Sequence, residues 1–286
     1  MSAKSASRDP ASSVHKAART ENRMTTLAIV VTLILGFGLT ALIYIPVVLL
    51  AVLSVSGDPL SGVPGDFTLE SYRMLFDTTT WVSPLILTLE IALVVSLLCM
   101  IAATAIGRLL PRMKNRVAPL LLLFLLPLII PGIMLGVQEF TFFRSFMQIR
   151  PGIWLIIVTH FLWAFPFSLL GMLVVTQRFD LRLVEAATDL GASPLRRFWD
   201  IERPLIMPGI ATAGMFGFLL SMMELSRTIF VRGGSMTLPV HLWALASGRS
   251  SLIPLIYSLN TMLAIASIAL SVVAVVLLSS GGRVKS

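Results

Sequence analysis

Apolar residues arrive in six long runs, at about 25–53, 83–107, 118–140, 152–176, 205–228 and 253–279, with polar residues concentrated between them. Each run meets the ~20 residues that a helix needs to cross the hydrocarbon core of a bilayer. The pattern predicts an all-α integral membrane protein with six transmembrane helices in one domain over 25–279. Pro127, Pro131, Pro166 and Pro208 fall inside runs, which a membrane helix tolerates because neighbouring helices satisfy the freed carbonyls. Residues 1–24 are polar, basic and Ser/Ala-rich, and are expected to form a disordered tail; 280–286 form a second, short tail. Ser54-Val55-Ser56 has the form of a signal-peptidase site, but the run before it far exceeds the ~7–15 apolar residues of a signal peptide. The first run is therefore read as an uncleaved span.

Composition agrees with this reading, since 56% of residues are hydrophobic and only 13% are charged, far from the balance of a soluble domain. The net charge of +8 is informative through its placement. Of 22 Lys and Arg residues, sixteen lie in the two tails and in the segments 108–116 and 177–204. Arg73, Arg144, Arg150, Arg227, Arg232 and Arg249 fall on the other side. Cytoplasmic loops carry the excess of basic residues, so both termini and the 177–204 loop are predicted to be cytoplasmic. The segment 54–82 is then external; in it Leu69, Tyr72, Met74, Leu75 and Phe76 make a half-amphipathic piece, suited to a membrane surface or to covering a helix.

The 177–204 loop has the local chemistry of a helix-turn-helix. Asp180 is placed to cap a first helix, and Ala186 and Ala187 favour helix. Gly191 fits the left-handed residue just past its end. Ser193 caps a second helix with Pro194 in its first position, and Pro204 is expected to stop it. Arg196 and Arg197 give the unit a superficial likeness to a DNA-binding motif. Asp189, Asp200 and Glu202 oppose phosphate contact, and both ends are tied to the bilayer, so no nucleic acid partner is expected.

Glu185, Ala186, Ala187, Gly191, Ile201 and Pro204 also match, at the same spacing, the EAA loop: Glu-Ala-Ala, three residues, Gly, nine residues, Ile-x-Leu-Pro. The chain thus resembles the permease subunits of type I bacterial ABC importers, over about Phe67 ("FTLESYRMLF") to Leu245 ("TLPVHLWAL"). In flavour it is nearest the spermidine/putrescine-type permeases. Arg203 stands where Leu is usual. The resemblance implies an inner-membrane subunit that pairs with a second permease, a heterodimer before a homodimer. It also implies two P-loop ATPase subunits inside and a periplasmic or lipid-anchored solute-binding protein outside. Solute would cross by alternating access. Glu185 would meet a basic residue of the ATPase, Gly191 would keep the bend, and Leu181, Val184, Leu195, Phe198 and Trp199 would supply apolar contact there or pack back on the bundle. The implied cargo is a polyamine or related amine, with opine, aminobutyrate or aminoalkylphosphonate as alternatives. A secondary transporter or a membrane scaffold are the rival classes, and neither accounts for the loop.

No Gly-x-x-x-x-Gly-Lys-Ser/Thr phosphate loop occurs in the chain. No metal-ligand spacing or catalytic triad is legible either, with His15, His160 and His241 far apart. The chain is therefore not expected to be an enzyme or to hold a cofactor or metal. Cys99 is alone and lies in an apolar run, which reads as a buried structural thiol. Gly209, Ala213 and Gly217 recur every four residues and form a helix-packing face, serving either internal packing or a partner subunit. Glu90, Glu139 and Glu224 lie in the external half of the spans. Ionisable groups at that depth are functional candidates, and Glu90 and Glu224 are candidates for the solute path. Two other roles stay open: Glu224 is placed to pair with Arg227, and Glu90 to bond a neighbouring helix. His160 is expected to hydrogen-bond between helices.

Overall fold

The computed structural model describes residues 10–109, 113, 117–248 and 252–281, without the side chains of 10–24, 27, 117, 120 and 270–281. The described residues are helical throughout, apart from connecting turns and one isolated bridge between Ser56 and Phe67. In chain order the helices are α1 (Pro10–Leu53), α2 (Glu70–Asp77), α3 (Val82–Leu109), α4 (Val117–Leu125) and α5 (Gly132–Thr141). They continue with α6 (Ile153–Thr176), α7 (Arg182–Asp189), α8 (Pro194–Arg197), α9 (Arg203–Met222), α10 (Thr228–Val231), α11 (Leu238–Gly248) and α12 (Ile253–Gly281). Two compact units emerge, one from residues 1–76 with 253–286 and one from 77–252.

In the first unit α1 packs on α12, and most large apolar side chains of α1 remain exposed, as on a surface facing lipid. Helix α1 starts at Pro10, inside the predicted tail, whose first nine residues lie outside the described set. After α1 the chain turns back on itself: Gly57 N–H donates to Asp66 O at 2.8 Å and Thr68 N–H to Val55 O at 2.9 Å. The short helix α2 buries Leu75 and Ser71, and the Tyr72 hydroxyl lies 2.9 Å from Ser54 Oγ. Leu69, Met74 and Phe76 stay exposed.

The second unit is built on three helices, α3, α6 and α9, packed against one another. Their shared core includes Ile91, Val95, Leu169, Met172 and Ile210, with Cys99 fully buried among them. Small residues set the spacing. A Cβ on Gly217 would lie 2.9 Å from Cys99 Cβ, one on Gly209 2.8 Å from Met172 Sδ, and one on Gly107 2.6 Å from Met172 Cγ. Ala213 is wholly buried and its carbonyl accepts from Ser168 Oγ at 2.9 Å, while Gly214 O accepts from Ser96 Oγ at 2.8 Å. In lipid, where apolar side chains gain little by leaving solvent, such close approach and interhelical hydrogen bonding are what hold helices together. The Gly209, Ala213 and Gly217 face therefore packs within the unit.

Among the described residues four helices are long and apolar enough to cross a membrane, and five if the bent pair at 121–146 is one span. The predicted 118–140 span is not one rod: Leu121–Leu128 and Gly132–Phe146 meet at 99°. Proline explains the break. Pro131 lies in extended backbone (φ −54°, ψ 135°), and without an N–H it cannot carry on the hydrogen-bonded ladder of the preceding turn. The predicted 205–228 span ends early, at Met222. There Glu224 takes the Arg227 N–H (2.9 Å) and Ser226 Oγ (3.0 Å) on its carboxylate, a local alternative to the helical ladder. The sixth run is a helix, of which Ile253–Ala269 is the portion with described side chains.

Candidate functional site

Two polar regions lie at opposite ends of the three-helix unit. The first is the 177–204 connection. Asp180 Oδ1 accepts the Arg182 N–H at 3.0 Å, which satisfies one of the free donors at the start of α7. Along α7, Val184 and Ala187 face inward, whereas Leu183, Glu185, Ala186 and Asp189 are exposed. The helix closes with paired bonds from Gly191 N–H to Thr188 O (2.9 Å) and Ala192 N–H to Ala187 O (3.0 Å). That is a Schellman arrangement, and it needs the left-handed φ of +78° found at Gly191. Ser193 then caps α8 by accepting the Arg196 N–H, with Pro194 at the first helical position. Arg197 Nη1 reaches back to Thr188 Oγ1, tying α8 to α7.

Pro204 does not stop this helix, contrary to expectation. Helix runs without interruption from Pro194 to Met222. The reason is a π-helical turn at Phe198–Glu202, where the Arg203 N–H bonds to Phe198 O, five residues back. A proline has no N–H and clashes with the carbonyl four residues before it; the wider turn relaxes that crowding. Within it Ile201 is half-buried and Glu202 is only 4% exposed. Glu202 Oε2 receives Arg108 Nε from the end of α3 at 2.5 Å, and the Arg108 guanidinium lies 4.4 Å from the centre of the Phe198 ring. Sequence reasoning missed this pair, because its members are 94 positions apart. Arg203, the departure from the usual Leu, lies over the Trp199 ring at 4.8 Å.

The apolar candidates of the connection divide. Val184 is buried and Phe198 packs against the core, while Leu195 (68%) and Trp199 (50%) are exposed, joined by Leu190 at 88%. Leu181 is half-buried. Leu183, Leu190, Leu195 and Trp199, together with Glu185, are side chains that this unit leaves open to a partner.

The second region surrounds the break after α9. Glu224 and Arg227 are 6% and 4% exposed and pair at 2.6 Å through Nη1. The Arg227 guanidinium stacks 3.9 Å from the Trp163 ring centre. Helix α5 comes against it closely, since a Cβ on Gly132 would lie 2.9 Å from Arg227 Cζ and one on Gly136 2.9 Å from Arg227 Cα. His160 bridges α6 to this segment, with Nδ1 2.8 Å from Ser221 Oγ and Nε2 2.8 Å from Thr228 Oγ1. Thr228 Oγ1 spends its proton on Glu224 O at 2.9 Å, so it accepts from Nε2–H, and Nδ1 accepts from Ser221. A neutral ring satisfies this network fully. Glu139, half-buried on α5, accepts from Thr159 Oγ1 of α6. Glu90 stands apart on α3, exposed and without a hydrogen bond among the described residues. Among the described residues no three His, Cys, Asp or Glu side chains are grouped to hold a metal.

Comparison with known proteins fits a transport role. The chain is 27% identical over 239 residues to the spermidine/putrescine transport system permease protein PotC of Haemophilus influenzae, covering 82% of this chain and 91% of that one. It is 28% identical over 235 residues to PotC of Escherichia coli, 80% of this chain and 86% of the other. The putrescine transport system permease protein PotI of Escherichia coli is 27% identical over 242 residues, 82% and 84% of the two chains. The family described as binding-protein-dependent transport system inner membrane component matches residues 116–281. The chain is a member of that family of transport permeases.

Proposed function

We propose that this chain is one permease half of an ATP-driven type I importer in the bacterial inner membrane, with both termini in the cytoplasm. A second permease completes the pathway, two copies of a P-loop ATPase attach to the cytoplasmic 177–204 loop, and a binding protein delivers solute from outside. The observation that carries this reading is mechanical. The exposed side chains of Glu185, Leu190 and Leu195 sit on a segment whose second helix continues unbroken into α9, so a push on the loop is a push on a transmembrane helix. ATP binding closes the ATPases, the two loops approach, and the cavity opens outward; hydrolysis reverses the motion. The cargo is a polyamine or a related amine, by analogy with what the names of PotC and PotI state. The test is uptake of labelled putrescine and spermidine by proteoliposomes holding the full transporter and its binding protein. Uptake that proceeds without ATPase, or no capture of any amine by the binding protein, overturns class or cargo respectively.

Orientation is tested separately. A reporter fused after Ser286 is expected to be cytoplasmic and one inserted at Gly62, in an exposed turn of the 54–82 segment, periplasmic. Protease cleavage of the C-terminus from outside reverses every loop.

Glu90 is proposed to face the solute path. An exposed carboxylate on a membrane helix is costly against lipid, and no described side chain pairs with it. Glu90→Gln keeps size and removes charge. Uptake of a cationic amine is expected to fall while membrane level and ATPase association hold; unchanged uptake removes Glu90 from the path. For Glu224 we propose a different role, as the internal partner of Arg227, with which it pairs at 2.6 Å.

A further inference from the structure

The loop proposed to receive the ATPase stroke reaches the bilayer helices through a joint that is weak by its own chemistry. Across Phe198–Glu202 the helix is wound with five-residue bonds, and Pro204 contributes no N–H. A rod is expected to bend at such a place, as helix kinks concentrate at prolines and π-turns. Three contacts cross it here. Arg108, from the end of α3, reaches Glu202 at 2.5 Å and covers Phe198 at 4.4 Å. Phe198 in turn packs on the core of the unit. Next to Arg108, Gly107 lies against Met172 of α6, and Met172 also fills the space beside Gly209 of α9. The joint is thus clamped at the end of the unit where α3, α6 and α9 pack together.

We propose that Arg108 and Glu202 are a positioning pair for transport: they brace the π-helical joint so that movement of the 177–204 loop turns the three-helix unit as one body. The inference rests on the coupling role proposed above. Glu202 is buried at the joint and Arg108 is half-buried, so their bond is shielded from the screening that makes exposed pairs weak. The guanidinium adds what a lysine cannot: a planar group that bonds a carboxylate and stacks on an aromatic ring together.

The experiment uses the assembled transporter in proteoliposomes and measures two quantities, ATP hydrolysed in response to loaded binding protein and solute imported. Arg108→Gln combined with Glu202→Gln removes both charges of the pair. This double variant is expected to assemble with its ATPase and hydrolyse ATP, yet to import several-fold less solute per ATP. Arg108→Lys is expected to lie between it and the unaltered protein, because it keeps the charge and loses the stacking. An unchanged ratio of solute to ATP in the double variant overturns the proposal. Failure of the double variant to assemble also overturns it, by making the pair a folding element. Failure of the coupling reading itself shows differently, as uptake by the unaltered transporter that needs no ATPase.

Discussion

Glu185→Lys and Gly191→Val are each expected to abolish uptake while the protein still reaches the membrane. They act by different physics. Glu185 is exposed on α7 beside Leu183 and Ala186, so reversing its charge leaves the fold alone and places a cation against the basic residue expected on the ATPase. Loss of co-purification with the ATPase is the direct readout. Gly191 faces open space, with nothing within 4 Å of a Cβ built there, so the substitution causes no collision. The cost is in the backbone, because φ is +78°. For an L-residue that conformation costs about 1–2 kcal/mol, and a β-branched one resists it further. The turn is expected to relax to negative φ, which breaks the Ala192-to-Ala187 bond and re-aims α8. Gly191→Asn is the informative control, since Asn enters the left-handed region readily and is expected to retain most uptake. Normal uptake by both Glu185→Lys and Gly191→Val returns the loop to a plain connector.

The helix-turn-helix was legible because its signals are local. Gly191, Ser193 and Pro194 each act on backbone groups within three or four residues, and the structure uses all three in that way. Asp180 instead takes the Arg182 N–H from one position ahead of the N-cap, which is Leu181. Pro204 was misjudged for a matter of context. Its effect depends on the preceding turn, and nothing in Phe198–Glu202 announces a π-helix. The pair Glu224 and Arg227 is three residues apart and was visible for that reason, whereas Trp163, Gly132 and Gly136, which build its surroundings, come from elsewhere in the chain. Run length alone suggested one rod at 118–140 and a helix to residue 228. In the first case Pro131 decided otherwise, and in the second the carboxylate of Glu224 did. Hydropathy measures how well a segment suits lipid and is blind to side chains that compete for backbone bonds.

The largest loss of stability is expected from Arg227→Ala. The guanidinium holds three things together: the Glu224 carboxylate at 2.6 Å, the Trp163 ring at 3.9 Å and Gly132 of α5. Removing it leaves a carboxylate that is 6% exposed and that, among the described residues, has the backbone N–H of position 227 and the Ser226 hydroxyl as donors. Breaking one side of a buried pair costs about 3–5 kcal/mol, and the cavity left beside Gly132 adds to it. The folded fraction in detergent, followed by thermal unfolding and size-exclusion, is expected to collapse. Glu224→Gln is milder, because the amide oxygen still accepts both local donors. Gly136→Val tests the same contact from the other side: its Cβ would sit 2.9 Å from Arg227 Cα and 3.1 Å from Arg227 O, and backbone cannot swing away as a side chain can. It is expected to displace α5 and lower stability even with the ion pair intact. A solute-path role for Glu224 makes the opposite forecast, a well-folded Arg227→Ala protein with altered amine selectivity, and the two measurements together decide between them.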